Sequence, residues 1–421
     1  MRDGNQGAPA SAIVIGGGVV GLCCALELQR RGIATTIVAP ADSSDAASWG
    51  NAGHVAIEQV EPLASPATLR SFPRRLFWRG GPVSLPPGQI GAWLPFALRL
   101  LGSSGAARFA HGKAALTELL APALPAWRRV LADAGAADVL VEDGHFVVWE
   151  SPATAAAGRA HWMAADTGET TVRDATAAEL AAIAALVRTP PVAGIRFAGS
   201  GQIADLPTLA GALRARFLAL GGVWQAGLAI GLAVVDGKAM LTRDDGSRMT
   251  ADAVLVAAGA ASGALMSGVG ARVPIIHERG YHIQTTQGHW PASMPPVVFE
   301  DRAVIVTGFR SGLRAASFVE FGGPNARPDP RKWARLARHA EAIGLPFDAE
   351  HSRWTGARPT LPDYLPAIGR SPAADNLFYA FGHQHLGLTL AAVTGELMGG
   401  LISGVAPTVA LAPFDLARFG R

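Results

Sequence analysis

The chain opens with a short apolar strand that runs almost directly into an apolar helix. Residues 11–16, SAIVIG, are typical of a buried strand, and residues 21–32, GLCCALELQRRG, carry apolar positions at helical spacing. Gly32 is placed to cap the carboxyl end of that helix. The next apolar run, ATTIVAP at residues 34–40, predicts a second strand. This order of elements indicates the start of an α/β fold.

Similar patterns continue through the middle of the chain. Residues 194–222 predict a loop followed by a helix, with Asp205 as its N-cap and an apolar stripe along one face. Residues 228–247 predict a pair of strands, because Asp-Gly turns interrupt the apolar runs. Residues 251–260, ADAVLVAAGA, predict a buried strand that leads into Gly259.

The remaining segments predict antiparallel strands and two further helices. Residues 138–151 and 297–323 alternate apolar and polar positions between Asp and Gly turns, which predicts antiparallel strands. Residues 331–344 predict a surface helix. Residues 376–404 predict a buried strand, a Gly-His turn and a long apolar helix that starts near Gly387. The chain is therefore expected to be α/β, or α+β overall.

Composition narrows the class of protein. Of 421 residues, 49% are hydrophobic and 16% are charged, which is typical of a compact globular protein. The formal net charge of +3, with no basic run, argues against a nucleic-acid partner. Cys23 and Cys24 are the only cysteines, so neither a disulfide framework nor an iron–sulfur cluster can form. These features suit a reducing compartment, and we expect a cytoplasmic protein.

Neither a secretion signal nor a membrane span is expected. Four glycines interrupt the first apolar segment, and no apolar run reaches the ~18 residues that a membrane span needs. Residues 91–102, GAWLPFALRLLG, form an apolar segment that could rest on the inner face of the cell membrane. Trp78 and three basic residues precede it: Arg74, Arg75 and Arg79. The alternative is a helix buried against the rest of the protein.

The glycines between the first strand and helix carry the most specific chemistry. Gly16, Gly18 and Gly21 form the G-x-G-x-x-G pattern, whose glycines allow a tight turn, close approach of a pyrophosphate and close helix–strand packing. The helix N-terminus then offers N–H groups to the phosphates. The predicted strand that ends before Gly259 would lie beside this loop. The alternative is a glycine-rich turn without a ligand.

One expected feature of a dinucleotide site is missing. The second strand of such a fold should end in an acidic residue that binds the adenosine ribose. That place is taken by Ala39 and Pro40. Acidic and hydroxyl side chains of the next loop could substitute: Asp42, Ser43, Ser44 and Asp45.

With these segments identified, the chain resembles the glycine oxidase and D-amino-acid oxidase superfamily of flavoproteins, and most closely its bacterial D-amino acid dehydrogenase branch. The resemblance covers nearly the whole chain and rests on five motifs: VIGGGVVG (14–21), SWGNAGH (48–54), ERGYHIQ (278–284), GARPTLPDYLPAIG (356–369) and FGHQHLGLT (381–389). It implies a Rossmann-like FAD-binding domain with an interleaved antiparallel-sheet substrate domain, as in glycine oxidase. The expected division is 8–90, 200–275 and 355–421 for FAD, and 91–199 and 276–354 for substrate.

The resemblance also implies positions for the cofactor. Contacts to the FAD pyrophosphate are expected from Gly16, Gly17, Gly18, Val19, Val20 and Gly21. The segment beside the ribityl chain and flavin ring would comprise Ser48, Trp49, Gly50, Asn51, Ala52 and Gly53. The pyrimidine edge of the flavin would meet Gly382, His383, Gly387, Leu388 and Thr389. The backbone of Ile230 would touch adenine, and Gly259 would lie beside the phosphate loop.

Substrate residues follow from the same resemblance. Arg358 matches the family arginine that holds the substrate carboxylate, for which a planar guanidinium fork is suited. Tyr281 matches a residue that lines the substrate pocket. His54 and His383 are candidate substrate or acid–base groups, although a histidine in such a position is often structural. No spacing typical of a metal cluster or a catalytic triad is present, so no metal is expected.

The implied reaction is hydride transfer from the substrate α carbon to flavin N5, which gives an imino acid and reduced flavin. A D-amino or cyclic imino acid is expected as substrate, with the D-proline or hydroxy-D-proline type favoured. The electron acceptor could be a quinone, oxygen or a partner protein, and an oligomer is compatible with the sequence. The alternatives are a glycine or sarcosine oxidase, a 2-hydroxy-acid dehydrogenase and a non-catalytic FAD-binding subunit.

Overall fold

The computed structural model describes residues 9–286, 290–347 and 350–420. The outer limits of the predicted domain division, residues 8 and 421, lie outside the described residues. The strands are β1 (Ser11–Ile15), β2 (Ala34–Ala39), β3 (His54–Val55), β4 (Val83–Ser84), β5 (Leu140–Val141), β6 (His145–Trp149), β7 (Thr171–Asp174), β8 (Ala193–Ala198), β9 (Gly201–Ile203), β10 (Val223–Ala226), β11 (Ala229–Val235), β12 (Lys238–Arg243), β13 (Arg248–Met249), β14 (Ala253–Val256), β15 (Ile276–Thr285), β16 (Val297–Phe299), β17 (Val304–Phe309), β18 (Gly312–Gly322), β19 (Ser352–Thr360), β20 (Ala367–Arg370) and β21 (Leu377–Phe381).

Helices connect these strands throughout the part of the chain that the structure describes. They are α1 (Val19–Arg30), α2 (Pro66–Arg75), α3 (Ile90–Ser103), α4 (Ala106–Leu120), α5 (Ala123–Asp133), α6 (Pro152–Ala164), α7 (Ala177–Ala184), α8 (Leu206–Ala219), α9 (Ser262–Ser267), α10 (Pro330–Ile343) and α11 (Gly387–Ile402). The predicted helix start at Gly387 and the N-cap at Asp205, whose carboxylate accepts from the Thr208 N–H, are both confirmed.

A six-stranded sheet forms the half of the fold that contains the glycine loop. Its order is β10-β2-β1-β14-β21-β20, with only β20 antiparallel to its neighbour. β1 lies between β2 and β14. The first connection from β1 therefore leads to the neighbouring strand on one side, and a later segment of the chain adds the neighbouring strand on the other side. In open parallel sheets a ligand binds at such a point, at the carboxyl ends of the strands.

Helices α1 and α11 pack together on one face of this sheet within a large apolar core. A Cβ on Gly395 would lie 2.8 Å from the backbone oxygen of Cys23, so glycine permits their close approach. Cys23 and Cys24 are buried core residues, and burial raises the pKa of both thiols. Among the described residues, one helical segment, Gln384–Ile402, is long and apolar enough to cross a membrane, yet 78% of it is buried inside the protein.

A nine-stranded, largely antiparallel sheet forms the other half. Its main path runs β19-β15-β18-β17-β16-β6-β8-β7, and β4 pairs with β18. The predicted hairpins of residues 297–323 are confirmed as β16, β17 and β18. Helix α10 is not simply a surface helix as predicted. It buries one face against this sheet, through Lys332, Leu336, Ala340 and Ile343, because its apolar positions recur at helical spacing.

Two small sheets complete the fold. The predicted strand pair at residues 228–247 is confirmed as β11 and β12, joined at Asp236 and Gly237 with positive φ angles of 49° and 77°. The strands predicted within residues 138–151 separate: β5 pairs with β9 in a sheet with β3, whereas β6 joins the nine-stranded sheet.

Helix α3 is half exposed. One face packs against the large sheet, as one of the two alternatives predicted, and the membrane contact of the other face stays a prediction. Phe96 is buried with Phe321 and Ile276 of the large sheet, whereas an apolar row on the other side faces solvent. Helices α4 and α5 share the apolar core of α1 and α11. The division at residue 91 therefore stays a prediction, since part of the segment assigned to the substrate domain packs with the half that contains the glycine loop.

Candidate active site

The glycine loop lies at the point where the chain passes from β1 to α1. Gly16 has a φ of +119°, and a Cβ there would clash with the backbone oxygen of Ala257 at the end of β14. A Cβ on Gly21 would clash with the backbone oxygen of Gly16. Any larger residue would therefore push α1 away from the strand ends. The structure gives these glycines the packing roles that the pattern predicts.

The N-terminus of α1 is open to an anion. Gly18 is its N-cap without a side-chain cap, and its first turn contains no acidic residue. Ser48 Oγ accepts a hydrogen bond from the Val19 N–H at 3.1 Å, which fixes the start of the segment 48–53 beside the helix. The next N–H groups of a helix lack intrahelical carbonyl partners, so they can bind phosphate oxygens.

The adenosine side of the loop differs from the usual acidic arrangement. The side chain of Trp224, from β10, fills the space next to Gly17 and Ala39, and the Arg214 guanidinium lies 4.1 Å from the centre of its ring. Asp42 accepts a hydrogen bond from the Ser44 N–H within its own loop, which lowers the pKa of its carboxyl. Ile230 lies at a β-bulge of β11 and is 63% exposed. Sequence reasoning missed Trp224.

Four consecutive carbonyls of the segment 48–53 are bound by side chains of the large sheet. Arg314 donates to the oxygens of Trp49, at 3.3 Å, and of Asn51. The other two oxygens, of Gly50 and Ala52, accept from His282 Nδ1 at 3.0 Å and from Thr307 Oγ1 at 2.9 Å. These bonds fix the predicted flavin-side segment relative to the sheet.

Sequence reasoning also missed Arg314 and His282. Arg314 is buried, and burial lowers the pKa of its guanidinium to about 10. A charged side chain within an apolar strand, as in GLRAAS, is unusual enough to be a signal, because arginine is rarely buried without partners. Its partners are backbone oxygens from another part of the chain, which no local pattern identifies.

The N-terminus of α11 is the second anion-compatible helix end. Its first turn has no acidic residue and no side-chain cap. Thr389 Oγ1 accepts from the Ala56 N–H at 2.9 Å, and the Leu388 oxygen accepts from Trp127 Nε1 at 3.0 Å. Gly382 has a φ of +79°, and Gly259, with a φ of +56°, follows β14. The two hydrogen bonds hold the N-terminus of α11 close to the carboxyl ends of the parallel strands.

His383 is placed as a structural residue. It is fully buried, its Nε2 lies 3.0 Å from Thr394 Oγ1 on α11, and burial lowers its pKa to about 3. A neutral ring that is hydrogen-bonded to the following helix is a poor proton carrier at neutral pH.

Arg358 and Trp354 lie side by side over a pair of glycines. Gly280 of β15 pairs with Gly356 of β19. A Cβ on Gly280 would meet the Arg358 guanidinium, and a Cβ on Gly356 would clash with the Trp354 indole. The same indole covers Gly50, so this face of the sheet meets the segment 48–53. The positively charged guanidinium of Arg358 and the flat indole of Trp354 therefore lie next to each other, close to the predicted flavin position.

Glu278 balances part of the charge of Arg358. Its carboxylate is buried 3.4 Å from Arg358 Nη1 and also accepts from Thr360 Oγ1 at 2.9 Å and Tyr364 OH at 3.2 Å. Arg358 remains 29% exposed, and the contacts that the structure describes for it engage only Nη1. The other N–H groups of its fork can therefore receive a carboxylate.

Tyr281 does not join Arg358. Successive side chains of a strand point to opposite faces, and Tyr281 therefore lies on the far face of β15. Its hydroxyl donates to Glu320 at 2.8 Å and accepts from the Asp329 N–H at 3.1 Å, and its ring packs edge-on against Trp333 of α10. The structure thus places Tyr281 in the core beneath α10, which differs from the expected pocket wall.

His54 belongs to a buried polar cluster. Its ring centre lies 4.3 Å from that of His145, and its Nε2 lies 3.6 Å from Glu58 Oε1. Burial lowers the pKa of His54 to about 4 and raises that of Glu58 to about 8. His385 binds Gln59, and burial, together with Arg358 and His54, lowers its pKa to about 3.

These features fit a flavin dinucleotide. Two helix N-termini without acidic residues follow the carboxyl ends of β1 and β21, and the glycines at the first of them allow a turn that a Cβ would obstruct. The pyrophosphate would bind at the start of α1, and negative charge on the flavin pyrimidine would be stabilised at the start of α11.

Comparison with known proteins agrees with this geometry. The model of the DAO family, described as FAD dependent oxidoreductases, matches residues 11–401. A D-amino-acid oxidase of Bradyrhizobium diazoefficiens is 31% identical over 96% of this chain and 98% of its own length. D-amino acid dehydrogenase 2 of Ralstonia nicotianae is 31% identical over 96% of this chain and 99% of its own.

A solved structure supports the fold. Glycine oxidase from Geobacillus kaustophilus superimposes with a TM-score of 0.73 at 21% sequence identity, covering 98% of this chain and 99% of the other. This similarity confirms the predicted α/β class and the Rossmann-like half, and the family match confirms FAD as the cofactor. The chain belongs to the DAO family of FAD-dependent oxidoreductases.

Proposed function

We propose that this protein oxidises a D-amino acid or a cyclic D-imino acid at its α carbon, with substrates of the D-proline or hydroxy-D-proline type favoured. The observation that carries the proposal is the pairing of Arg358 and Trp354 over Gly280 and Gly356. The guanidinium suits the α-carboxylate, and the indole offers an apolar surface to a saturated ring. The D-amino-acid names of two relatives at 31% identity support the same class of substrate.

The residues of this chain supply binding and orientation. Bound FAD supplies the two-electron acceptor for the reaction. Arg358 holds the carboxylate and Trp354 limits the positions that the rest of the substrate can take, so the α carbon is presented in one orientation. The described polar groups near Arg358 are held in hydrogen bonds or kept neutral by burial. We therefore assign no proton-abstracting residue, and the substrate amine is taken to react in its neutral form.

The experiment is anaerobic reduction of the bound flavin. D-proline, hydroxy-D-proline, D-alanine, glycine, sarcosine and 2-hydroxyglutarate are added in turn, with L-proline as the matched control, and flavin absorbance is followed. Rapid bleaching by the D-imino acids supports the proposal. Faster bleaching by glycine, sarcosine or the hydroxy acid assigns those alternatives instead. A flavin that none of them reduces would indicate a non-catalytic FAD-binding subunit.

For the electron acceptor we propose a quinone reached at a membrane surface. Residues 62–117 contain no Asp or Glu but seven Lys or Arg. Within this segment an apolar row is exposed on α3: Ile90, Leu94, Leu98 and Leu101. Trp78 is also 71% exposed. A basic surface with exposed apolar and Trp side chains favours an anionic bilayer, so we place the protein on the inner face of the cell membrane.

A further inference from the structure

Three side chains that commonly bind metals meet between two sheets. His54 begins β3, Glu58 lies in the turn that follows it, and His145 begins β6 of the nine-stranded sheet. One ligand atom from each lies within 4.8 Å of the others. Glu58 and His145 are each 3% exposed, and the side chain of His54 is 10% exposed. The cluster is therefore almost fully enclosed.

One nitrogen and one carboxylate oxygen of this cluster lack hydrogen-bond partners. His54 Nε2 and Glu58 Oε2 are buried with no hydrogen bond in the described structure. The separation of 3.6 Å between His54 Nε2 and Glu58 Oε1 is too long for a hydrogen bond. Buried polar atoms without partners are rare because their desolvation is not compensated. A cation bound between them would satisfy both.

His145 is already oriented as a ligand would be. Its Nδ1 lies 3.1 Å from Oγ of the fully buried Ser200, and its ring stacks on Phe197 with centres 4.3 Å apart and an angle of 11°. In metal sites the second ring nitrogen of a histidine usually makes such a hydrogen bond, which fixes the ring and its tautomer. Nε2 of His145 is thereby left as the coordinating nitrogen.

We propose that His54, Glu58 and His145 bind a divalent first-row transition metal, for which Zn²⁺ fits best, with water as the fourth ligand. Two imidazoles and one carboxylate are a common ligand set for this ion. Bond lengths of about 2.0–2.1 Å place the ligands of a tetrahedral site about 3.3 Å apart. The distance from His54 to Glu58 is close to this value, and modest side-chain movement brings His145 into range.

The metal would act as a structural tie. It joins β3, which directly follows the flavin-side segment 48–53, to β6 of the nine-stranded sheet. It would supplement the bonds from Arg314, His282 and Thr307 that hold the same segment. The proposal does not depend on which substrate is oxidised, so it can fail while the proposed function stands.

The first test is metal content. FAD-loaded protein is stripped with dipicolinate, dialysed and titrated with Zn²⁺ against a fluorescent indicator, and elemental analysis gives the stoichiometry. We expect one tightly bound Zn²⁺ per chain. We also expect a melting temperature that falls on stripping and recovers on adding Zn²⁺. A protein that binds no Zn²⁺ more tightly than the indicator overturns the proposal.

Variants locate the site. Glu58→Gln and His145→Asn should each lose the bound Zn²⁺. Ser200→Ala, which leaves all three ligands in place, should weaken binding about 10- to 100-fold. His161→Asn, on the exposed side of α6, is the matched control and should bind as the wild type does. Flavin absorbance and circular dichroism report folding, and unchanged affinity in a folded Ser200→Ala or Glu58→Gln protein contradicts the assignment.

Discussion

Arg358 and Glu278 lie opposite each other on adjacent strands, with Nη1 of the arginine 3.4 Å from Oε1 of the glutamate. Thr360 and Tyr364 donate to the other oxygen of the same carboxylate. The glutamate therefore holds one corner of the guanidinium in place while its own charge is satisfied by hydroxyl groups. The remainder of the fork is oriented for a second carboxylate, which is the role proposed for Arg358.

Replacing Arg358 should weaken substrate binding without loss of the cofactor. Arg358→Ala removes a charge-assisted contact of about 1.5–3 kcal/mol, so KM should rise at least about 10- to 100-fold. Steady-state kinetics with the best D-substrate measure the change. Arg358→Lys is the control, since lysine keeps the positive charge but not the planar fork. Its KM should lie between those of the wild type and of Arg358→Ala. Flavin lost in proportion to activity would count against the anchor role.

Arg314 should determine how firmly FAD is held. Arg314→Ala leaves the oxygens of Trp49 and Asn51 without their donor inside the protein, at a cost of about 2–4 kcal/mol. We expect faster release of flavin, measured by fluorescence, and a lower melting temperature. The surface residue Arg310, which pairs with the exposed Asp138, is the matched control, and Arg310→Ala should behave as wild type. Equal effects of both substitutions would show that the carbonyl contacts are unimportant.

The glycine loop should not tolerate a methyl group at Gly16. Gly16→Ala combines a φ of +119° with a clash against the Ala257 oxygen, and should destabilise the fold by about 3 kcal/mol or more. Little yellow soluble protein is expected on purification. Gly211→Ala lies within α8, where a Cβ meets nothing within 4 Å, and should stabilise by about 0.5–1 kcal/mol. A stable, flavin-loaded Gly16→Ala protein would refute the tight approach of β14.

Lowering the pH should reduce the stability of the fold because His282 is buried in its neutral form. Burial lowers the pKa of its imidazole from 6.5 to about 3, so the folded protein keeps the ring neutral while the unfolded chain binds a proton below pH 6.5. The stabilisation of the fold that arises from this pKa difference is complete above pH 6.5. It is lost as the pH falls towards 3, by at most about 1.4 kcal/mol per pH unit. Urea unfolding of His282→Gln should show a shallower decline than wild type. If the stability of both proteins falls equally with pH, this prediction is wrong.

The apolar face of α3 should bind anionic lipid. The double variant Leu94→Ser/Leu98→Ser removes two exposed leucines and should reduce sedimentation with phosphatidylglycerol vesicles several-fold, because apolar burial and charge attraction act together. Val234→Ser, at an exposed position of β11, is the control. High salt should weaken the wild-type binding. Wild type that does not sediment at low salt would exclude this surface.

Local sequence signals predicted the parts of the site that depend on neighbouring residues. The turn at Gly16, the N-cap at Asp205 and the Asp236-Gly237 turn each follow from conformations that only certain residues adopt. The missing acidic residue at Ala39 was also visible, but not the Trp224 side chain that packs there. That side chain comes from β10, almost 200 residues further along the chain.

The strand–glycine–helix unit, the class of fold and the flavin family could all be predicted from the sequence, because they rest on short-range periodicity and motif order. Tertiary structure alone decided that Arg358 adjoins Trp354 while Tyr281 faces α10, because strand pairing and register assign side chains to faces. It also brought Arg314 to the carbonyls of Trp49 and Asn51, and His54 to His145. Such contacts depend on strand pairing and on packing between segments that are distant in the sequence, so no local pattern reveals them.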